Sequence, residues 1–391
     1  MSGAFVLAAV RTPGCKAKKG KLRDVRPDDL AATAIRALVE RAGVEPERIE
    51  DVIMGCAFPE GEQGMNLGRV AALRAGLPVE VPGLTVNRFC ASGLQAIATA
   101  AERILAGHAD VIVAGGAESM SLVPMGGAKF SANPGLATSW PESYAAMGVT
   151  AEIVATRYRV SREEQDTFAA ESHARAAAAQ AGGLFAAEIA PVDVERVALV
   201  EGKLVPTEER VDADDGVRAD TTFEGLARLR PAFKADGSVT AGNSSQMTDG
   251  AAAVLVVSEA FLADTKLAPL ARFVSYAVRG VPPEIMGVGP IEAIPAALAR
   301  AGIRKEQVGL IELNEAFAAQ ALACVRALGL DPARVNPTGG AIALGHPLGC
   351  TGAKLTATIL REMRRRRAQY GMVTMCVGGG QGAAGIFEMI Q

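Results

Sequence analysis

The sequence has few aromatic residues, few histidines and no long apolar run, and each shortage removes a class of protein. Only 4% of its 391 residues are aromatic, and only three are histidines. No segment approaches the roughly 18 apolar residues that a membrane-spanning helix needs, so we expect no membrane span. The scarcity of histidine and the lack of any Cys-x-x-Cys pair leave no visible metal constellation.

Charge and cysteine usage narrow the class further. The formal net charge is −3, which gives no global attraction for nucleic acid or for an acidic membrane. The six cysteines are scattered, and a chain of this length needs no disulfide scaffold, so a reducing compartment is expected. The apolar start lacks the basic segment of a signal peptide, and the chain does not end in Ser-Lys-Leu. We expect a cytoplasmic protein.

What the sequence does contain is a large supply of small and β-branched residues. Hydrophobic residues make up 49% of the chain, charged residues 21%, and 43 residues are glycine. Short β-branched runs alternate with Ala- and Leu-rich stretches, which predicts an α/β protein. The predicted strands cover residues 5–9, 52–55, 85–87, 111–114, 311–313 and 372–376. The predicted helices cover residues 28–42, 91–106, 291–301, 316–328 and 351–366.

The chain also repeats short segments in the same order. Matched pairs lie at residues 41–44 and 300–303, 114–117 and 377–380, and 250–254 and 382–386. The number of residues between the two members of a pair is much smaller for the third pair than for the second. Much of the segment between Ala117 and Gly250 therefore has no counterpart in the second half of the chain. We interpret the chain as two similar α/β halves, the first with a long insertion. Within the insertion, a helical stretch is predicted over residues 150–181 and a charged, irregular run over residues 188–220.

One cysteine has a setting suited to nucleophilic chemistry. Cys90 lies where a β-like segment ending near Asn87 gives way to an Ala-rich helix. A thiol at a helix N-terminus faces unpaired N–H groups and the positive end of the helix dipole, which stabilise a thiolate. Taken alone, however, a single cysteine is more often a buried and inert side chain.

Three further clusters contain groups that a nucleophilic cysteine would use. His346 lies in a Gly/Pro-rich loop before a predicted helix, where it is either a catalytic group or a histidine bonded to backbone. Cys376 ends a strand before a glycine-rich turn that includes Gly378. Such a turn can form an oxyanion hole or cradle a phosphate, although no Gly-x-x-x-x-Gly-Lys-Ser/Thr pattern is present. Asn314 lies between a strand and a helix, where it could simply cap the helix.

The other two histidines are given structural interpretations. His108 is predicted to lie in a solvated turn between a helix and a strand. His173 is predicted to lie on the surface of a long helix. Neither is therefore a candidate for the site.

In this order, and over essentially the whole chain, the clusters resemble the thiolase family. Residues 314–317, 345–352 and 376–382 look like three thiolase signatures, and their combination is highly specific. Residues 240–246 and 275–283 look most like the degradative 3-ketoacyl-CoA branch of the family.

The resemblance implies a fold and a domain organisation. The fold would be the α/β thiolase fold, with two duplicated βαβαβ-type halves in a five-layer α-β-α-β-α arrangement and an inserted loop domain. Residues 1–120, completed by about 241–268, would form the N-terminal half, and residues 269–391 the C-terminal half. Residues 121–240 would form the inserted loop domain, which binds coenzyme A.

The resemblance also implies a role for each cluster. Cys90 would be the acylated nucleophile, and His346 the base that activates it. Cys376 would carry a proton to and from the α-carbon or the CoA thiol. Asn314 would hold a water that forms one oxyanion hole with His346, and the N–H groups of Cys90 and Gly378 would form the second.

Coenzyme A would be a cosubstrate, with no bound cofactor and no metal. Arg218 would lie near its adenine end, Ser245 near its pantetheine arm, and Met147 beside the reacting acyl group. Ala146 stands where short-chain biosynthetic thiolases commonly have a histidine, and Gly225 where some relatives place a CoA-contacting serine. Both departures argue against a protein specific for acetoacetyl-CoA, and we hypothesise that loss of the bulk and polarity of the histidine admits longer acyl chains.

The function implied is thiolytic cleavage of 3-ketoacyl-CoA by CoA, through an acyl-cysteine intermediate, as in fatty-acid β-oxidation. The products are acetyl-CoA and a shortened acyl-CoA. Two alternatives stay open: a biosynthetic acetyl-CoA acetyltransferase that condenses two acetyl-CoA, and a non-catalytic binder of acyl-CoA or lipid. A homodimer or homotetramer is implied, and docking to a β-oxidation multienzyme partner stays open.

Overall fold

The chain folds around one mixed β-sheet whose strands come from both ends of the sequence. The computed structural model describes residues 3–200 and 203–390. In those residues the strands are β1 (Ala4–Arg11), β2 (Cys15–Lys16), β3 (Asp51–Gly55), β4 (Gly83–Val86), β5 (Val111–Ser119), β6 (Val192–Val200), β7 (Lys203–Val211), β8 (Thr248–Ser258), β9 (Ala271–Gly280), β10 (Val308–Leu313), β11 (Tyr370–Val377) and β12 (Gln381–Met389). The helices are α1 (Pro27–Ala42), α2 (Leu67–Ala75), α3 (Ser92–Leu105), α4 (Pro134–Ser139), α5 (Met147–Arg157), α6 (Arg162–Ala181), α7 (Phe223–Ala227), α8 (Glu259–Thr265), α9 (Gly289–Ala301), α10 (Ala318–Leu328), α11 (Ala341–Leu344) and α12 (Thr351–Arg366). None of the helices in these two ranges combines the length and the apolarity needed to cross a membrane.

The strand order shows the predicted duplication. Along the sheet the strands run β10-β11-β12-β9-β1-β8-β5-β3-β4, and β2 pairs with β8. In the first half β3 is parallel to β5, β5 antiparallel to β8, and β8 antiparallel to β1. The second half repeats this arrangement with β10, β11, β12 and β9. The halves meet where β1 pairs antiparallel with β9.

Three apolar clusters show how helices cover both faces of each half. One contains residues of α1 and α2 against the first half, and another contains residues of α9 and α10 against the second. A central cluster contains residues of α3 and α12 together with strands from both halves. The order of layers is therefore helices, the strands of the first half, the central helices, the strands of the second half, and helices, which is the five-layer order that the resemblance implies.

Two glycines allow the central helices to cross closely at their N-terminal ends. A Cβ on Gly93 in α3 would lie 2.8 Å from the backbone nitrogen of Ala353 in α12. A Cβ on Gly352 in α12 would lie 2.3 Å from the backbone nitrogen of Leu94 in α3. Both distances are too short for a real side chain, so only glycine permits this approach. The crossing brings together the loops that precede the two helices.

The segment between β5 and β8 differs from the prediction in two places. The helix predicted over residues 150–181 is two helices, because Arg159 adopts a left-handed backbone (φ 53°) and Ser161 caps α6 in a capping box with Glu164. The irregular run predicted over residues 188–220 is wrong, since most of it forms the antiparallel hairpin β6–β7. Valines alternating with charged residues, as in Val192–Val200, are typical of a half-buried strand. The domain boundaries at residues 120, 240 and 268 stay predictions.

Candidate active site

Cys90 lies in a tight turn between β4 and α3. The preceding residue, Phe89, has a left-handed backbone (φ 43°), which is strained for an aromatic residue. The turn is held from both sides: the Asn87 carboxamide oxygen accepts from the Phe89 N–H at 2.8 Å, and the Ser92 hydroxyl accepts from the Arg88 N–H at 2.8 Å. The Cys90 thiol is left 8% exposed, at the wall of a cavity.

The environment of Cys90 sets its protonation state. Burial raises the pKa of the thiol to about 12, and this outweighs the backbone N–H groups of Gly378 and of Cys90 itself, which lower the pKa. The stabilisation by backbone N–H groups that the sequence predicts is present, but the resting group at neutral pH is a thiol. Attack on a substrate therefore requires a base in the same cavity.

His346 lies in the wall of the same cavity, and its loop is held from several directions. Its backbone N–H donates to the Gln246 carbonyl oxygen and to the Thr248 hydroxyl, each at 3.0 Å. Its ring Nδ1 lies 2.6 Å from the hydroxyl of Thr351, in the first turn of α12. Lys354, one turn further along α12, donates to the Leu344 and Gly345 carbonyl oxygens at 2.6 and 2.9 Å. The imidazole has little freedom to move.

The contacts of the His346 ring suit a tautomer in which Nε2 is unprotonated. The Asn314 carboxamide nitrogen lies 3.3 Å from Nε2 and can only donate. With Nε2 unprotonated, the ring accepts from this amide and Nδ1 donates to Thr351, which is the arrangement that a base at Nε2 requires. Burial, and secondarily the charge of Lys354, lowers the pKa of His346 to about 3. The ring is neutral at physiological pH, with Nε2 available as a base.

Asn314 follows β10 and is 1% exposed. Its backbone N–H donates to the Thr374 carbonyl oxygen at 2.9 Å, which fixes it beside β11. Its carboxamide oxygen is buried and has no hydrogen-bond partner in the described residues. A buried acceptor of this kind is normally satisfied by an ordered water, the role that the resemblance implies.

Cys376 and Gly378 lie at the end of β11. Cys376 is fully buried and lines the same cavity as Cys90. Burial, with the neighbouring Cys90 next in effect, raises the pKa of Cys376 well above that of an ordinary thiol. Gly378 comes two residues later, and its backbone N–H and that of Cys90 both lower the pKa of the Cys90 thiol, so both lie close to the sulfur. Two convergent N–H groups have the form of an oxyanion hole.

The cavity that joins these groups has a volume of about 410 Å³. Cys90, His346 and Cys376 lie in its wall, and Met147 and Ser245 also line it. Most of the remaining wall is apolar and flexible, because it is formed by Met120, Met125, Met247, Met286, Phe233, Phe317 and Leu348. Methionine side chains adapt to ligands of different shape, so this wall suits an alkyl chain of variable length.

Three of the residues discussed from the sequence lie outside this cavity. Arg218 is exposed, on the loop before α7, and its side chain does not line the cavity. Ala146 is the exposed N-cap of α5, and Gly225 is exposed in α7. The structure thus brings the acyl-transfer groups together and leaves Arg218 on the surface.

The prediction for His173 is wrong. Its side chain is completely buried rather than on the surface of α6. Its Nδ1 accepts from the backbone N–H of Arg218 at 3.2 Å, which ties the loop before α7 to α6. Burial, followed by the charges of Arg218 and Lys16, lowers the pKa of His173 to about 4, so the ring is neutral and can accept. In the sequence, Ala-rich neighbours gave no sign of this burial.

Two residues that hold the site in place, Glu118 and Thr351, are not identified by the sequence analysis. Glu118, at the end of β5, accepts from the N–H groups of Ala57 and Gly349, each at 2.8 Å. It thus links the first half to the loop that carries His346. Thr351 could have been noticed from the sequence, since its hydroxyl follows the histidine by five residues at a helix start. Nothing in the sequence pattern marks Glu118.

Taken together, the site is equipped for acyl transfer through a thiol. It has a buried thiol, a neutral histidine oriented as a base, a second thiol and two convergent N–H groups. Among residues 3–200 and 203–390, no group of histidine, cysteine and acidic side chains is arranged to hold a metal ion.

Comparison with known proteins identifies the family. Residues 4–260 match the family described as "Thiolase, N-terminal domain", and residues 267–389 match "Thiolase, C-terminal domain". The chain therefore belongs to the thiolase family, and it is an acyltransferase that uses coenzyme A as a cosubstrate.

Individual relatives match along their whole length. The 3-ketoacyl-CoA thiolase of Bacillus subtilis (strain 168) is 54% identical over 390 residues, covering 100% of both chains. The peroxisomal 3-ketoacyl-CoA thiolase of Homo sapiens is 46% identical, covering 97% of this chain and 89% of its own. The crystal structure of the Bacillus anthracis acetyl-CoA acetyltransferase superposes with a TM-score of 0.91 at 40% identity, covering 100% of this chain and 99% of its own.

Proposed function

We propose that this thiolase works in the degradative direction, cleaving 3-ketoacyl-CoA with CoA to give acetyl-CoA and a shortened acyl-CoA. The observation that carries the proposal is the Met-rich cavity in which Cys90, His346 and Cys376 share one wall. The names of the Bacillus subtilis and human relatives support the degradative direction.

The first half-reaction transfers the acyl group to the enzyme. The Nε2 of His346 takes the proton from Cys90 as its sulfur attacks the 3-keto carbon, and the N–H groups of Cys90 and Gly378 receive the developing alkoxide. The bond between C2 and C3 then breaks, which leaves an acyl-Cys90 thioester and the enolate of acetyl-CoA. The water held by Asn314, together with His346, stabilises the enolate oxygen, and Cys376 protonates its carbon.

The second half-reaction passes the acyl group to CoA. The Cys376 thiolate takes the proton of the incoming CoA thiol, and the sulfur of CoA attacks the acyl-Cys90 thioester. Cys90 leaves as a thiolate and recovers its proton from His346, so both cysteines return to their starting state. The raised pKa of Cys376 suits this role, because its thiolate is a strong enough base to deprotonate CoA.

Two other functions use parts of the same site. The biosynthetic condensation of two acetyl-CoA would employ the same residues, and the similarity to the Bacillus anthracis acetyl-CoA acetyltransferase favours it. A non-catalytic binder of acyl-CoA or lipid has no need of two cysteines and an oriented histidine, all of which are present. Degradative thiolysis accounts for both the polar groups and the long apolar wall.

Chain-length dependence tests the proposal. We expect CoA-dependent cleavage of 3-ketoacyl-CoA substrates from four to at least twelve carbons, with kcat/KM on the longer chains equal to or above that on acetoacetyl-CoA. The measurement is the loss of 3-ketoacyl-CoA absorbance, with products identified by mass spectrometry. Turnover confined to acetoacetyl-CoA would assign the protein to the acetyl-CoA acetyltransferase branch. Binding without turnover at any length would support the non-catalytic alternative.

The proposal extends to compartment and pathway. All six cysteines are free in the structure, which fits a reducing compartment such as the cytoplasm. Shortening of a 3-ketoacyl-CoA is the last step of one round of fatty-acid β-oxidation, so we place the enzyme in that pathway. Its substrates there would come from an enzyme that oxidises 3-hydroxyacyl-CoA.

A homo-oligomer is also proposed, formed across the edge of the sheet. Within the described residues β4 is the last strand on its side, and apolar side chains are exposed beside it: Leu84 is 40% exposed, Val79 68% and Met65 97%. An open edge with exposed apolar residues is normally covered by a partner. A second copy that pairs along β4 gives a homodimer, which is also the unit of a homotetramer.

We expect the Leu84→Lys variant to lose this association, because the new charge would be buried between two copies. Light scattering after size-exclusion chromatography should give the mass of a dimer or tetramer for the wild type and a lower mass for the variant. Leu204→Lys, on the exposed side of the β6–β7 hairpin, is the control and should keep the wild-type mass. A wild-type protein that is monomeric at micromolar concentration would contradict the proposal.

A further inference from the structure

A lysine-rich turn lies beside the active-site cavity and has no part in the reaction described above. Residues 16–21 contain four lysines, and we call this segment the lysine turn. The backbone wraps around Asp215: the N–H groups of Lys16 and Lys21 donate to its two carboxylate oxygens at 2.7 and 2.9 Å. Lys18 adopts a left-handed backbone (φ 64°). The conformation is therefore held by a carboxylate from the insertion.

The lysine turn is fixed next to the mouth of the cavity. The N–H of Ala17 donates to the carbonyl oxygen of Met247 at 2.9 Å, and Met247 lines the cavity. The N–H of Lys18 donates to the hydroxyl of Ser121 at 2.6 Å, and Ser121 follows the lining residue Met120. Two wall segments of the cavity thus hold the turn in place.

Three lysines of the turn lack an ion-pair partner. Lys21 pairs with Glu209 at 2.9 Å. In the described ranges, by contrast, no carboxylate lies within 4.0 Å of the side-chain nitrogen of Lys16, Lys18 or Lys19. The lysine turn therefore holds three lysines without a direct ion pair over a short stretch of chain, with Asp215 as the carboxylate that its backbone encloses.

Arg218 adds a further positive charge to the same place. It lies three residues after Asp215, the residue around which the lysine turn wraps, and its backbone N–H is held by the buried His173 at 3.2 Å. Its guanidinium also has no carboxylate partner within the described residues. Burial lowers the pKa of Lys16, and the charge of Arg218 lowers it further against the opposing effect of Asp215, so Arg218 and Lys16 lie close enough to interact.

Holding like charges together costs free energy, and an anionic ligand would offset that cost. The substrate supplies such an anion, since CoA carries a diphosphate and a 3′-phosphate at the end opposite its thiol. Its pantetheine arm is long enough to separate the phosphates at the surface from the thiol inside the cavity. Lysines bind phosphate as mobile point charges, whereas arginine binds it through a fork of N–H groups.

We propose that the lysine turn, chiefly Lys16 and Lys19, acts with Arg218 to bind the phosphate groups of CoA. The inference rests on the proposed function, in which CoA and its thioesters are the substrates. It adds a phosphate-binding element from the N-terminal half to an arginine from the insertion. The thiol end of CoA then enters the cavity past Met247, towards Cys90 and Cys376.

The experiment compares CoA with pantetheine, which carries the same thiol and arm but no phosphate. Steady-state kinetics are measured for Lys16→Ala, Lys19→Ala and the double variant, with each thiol as the acyl acceptor. We expect the KM for CoA to rise about three- to fivefold for each lysine removed, with kcat nearly constant. The KM for pantetheine should stay at the wild-type value. High salt should raise the wild-type KM for CoA and reduce the difference between wild type and variant.

Two controls separate a phosphate contact from a structural effect. Lys16→Arg keeps the charge and should keep a KM for CoA close to that of the wild type. Lys266→Ala removes an exposed lysine beyond the far end of β8, and it should change neither KM. An equal rise in KM for CoA and for pantetheine would overturn the proposal, and so would an unchanged KM for CoA in the double variant.

Direct binding distinguishes failure of this inference from failure of the proposed function. Adenosine 3′,5′-bisphosphate, which carries the 3′-phosphate without a thiol, is titrated into the intact protein by calorimetry. We expect binding that weakens about tenfold or more in the double variant, from the loss of two charge contacts. Absence of catalysis with unchanged nucleotide binding in the double variant would count against both proposals. Absence of catalysis with weakened nucleotide binding would leave the phosphate contacts supported and the thiolase activity refuted.

Discussion

The Cys90→Ala variant is expected to lose thiolysis of 3-ketoacyl-CoA by at least about 10⁴-fold in kcat, because removal of a nucleophile eliminates the covalent route. No other described thiol has the two N–H groups that surround the Cys90 sulfur. Cys376 is fully buried and lacks this pair of N–H groups, so we expect that it does not substitute for Cys90. Steady-state rates and intact-mass analysis provide the measurement: an acyl adduct should form on the wild type and be absent from the variant.

Cys350→Ala is a matched control for this variant. Cys350 is also a buried cysteine before a central helix, but it packs in the central apolar cluster and does not line the cavity. We expect its replacement to leave kcat within about a factor of three, since a buried thiol away from the reaction acts as a small apolar side chain. A large loss of kcat in Cys350→Ala, or an acyl adduct that persists in Cys90→Ala, would contradict our assignment of the nucleophile.

The His346→Asn variant is expected to lose about 10²- to 10⁴-fold in the rate of acylation, the range typical of general-base catalysis. In the wild type the pKa of His346 is about 3, so the ring stays unprotonated from about pH 5 to pH 8 and acylation should show no acidic limb in that range. In the variant the reaction depends on free thiolate. Because the pKa of Cys90 is about 12, the rate should rise about tenfold for each pH unit.

Single-turnover acylation measured across pH in both proteins tests this expectation. Thr351→Val removes the hydroxyl that orients the ring without removing the base, so it serves as the intermediate case and should lose less activity than His346→Asn. An acidic limb near pH 6.5 in the wild type would show that burial does not lower the pKa of His346. A rate that is independent of pH in His346→Asn would show that another group deprotonates Cys90.

The helices and the outer strands were largely predictable, but several central strands were not. The sequence predicts α12 over its full length because its large apolar residues recur at helical spacing. The runs that form β8 and β12 are rich in alanine and glycine, which have low strand propensity. Their side chains are small because the strands are covered by helices: a Cβ on Gly385 in β12 would lie 3.0 Å from Leu94 of α3. Tertiary packing, rather than local preference, makes these segments strands.

The candidate catalytic groups were predictable because each is fixed by its local loop, whereas the residues that hold them come from distant elements. Cys90, His346 and Cys376 each stand within three residues of a glycine at the end of a strand or the start of a helix, and that pattern can be read from the sequence. Glu118 and Thr248 contact the same site from strands of the first half. Their importance depends on how the two halves pack, which short-range patterns do not report.

The close crossing of α3 and α12 places equivalent positions of the two halves side by side and shows where the halves differ. Both helices begin after a three-residue turn and have glycine at their second position, so Cys90 in one copy corresponds to Gly349 in the other. Gly349 is tightly enclosed. Its N–H donates to the Glu118 carboxylate, and its carbonyl oxygen would lie 2.2 Å from a Cβ on Gly116. The first half thus carries the candidate nucleophile at this position, whereas in the second half the equivalent loop is held by Glu118 and leads from His346 into α12. On our assignment of the nucleophile, the two halves share a single reaction centre, with Cys90 from one half and His346 and Cys376 from the other.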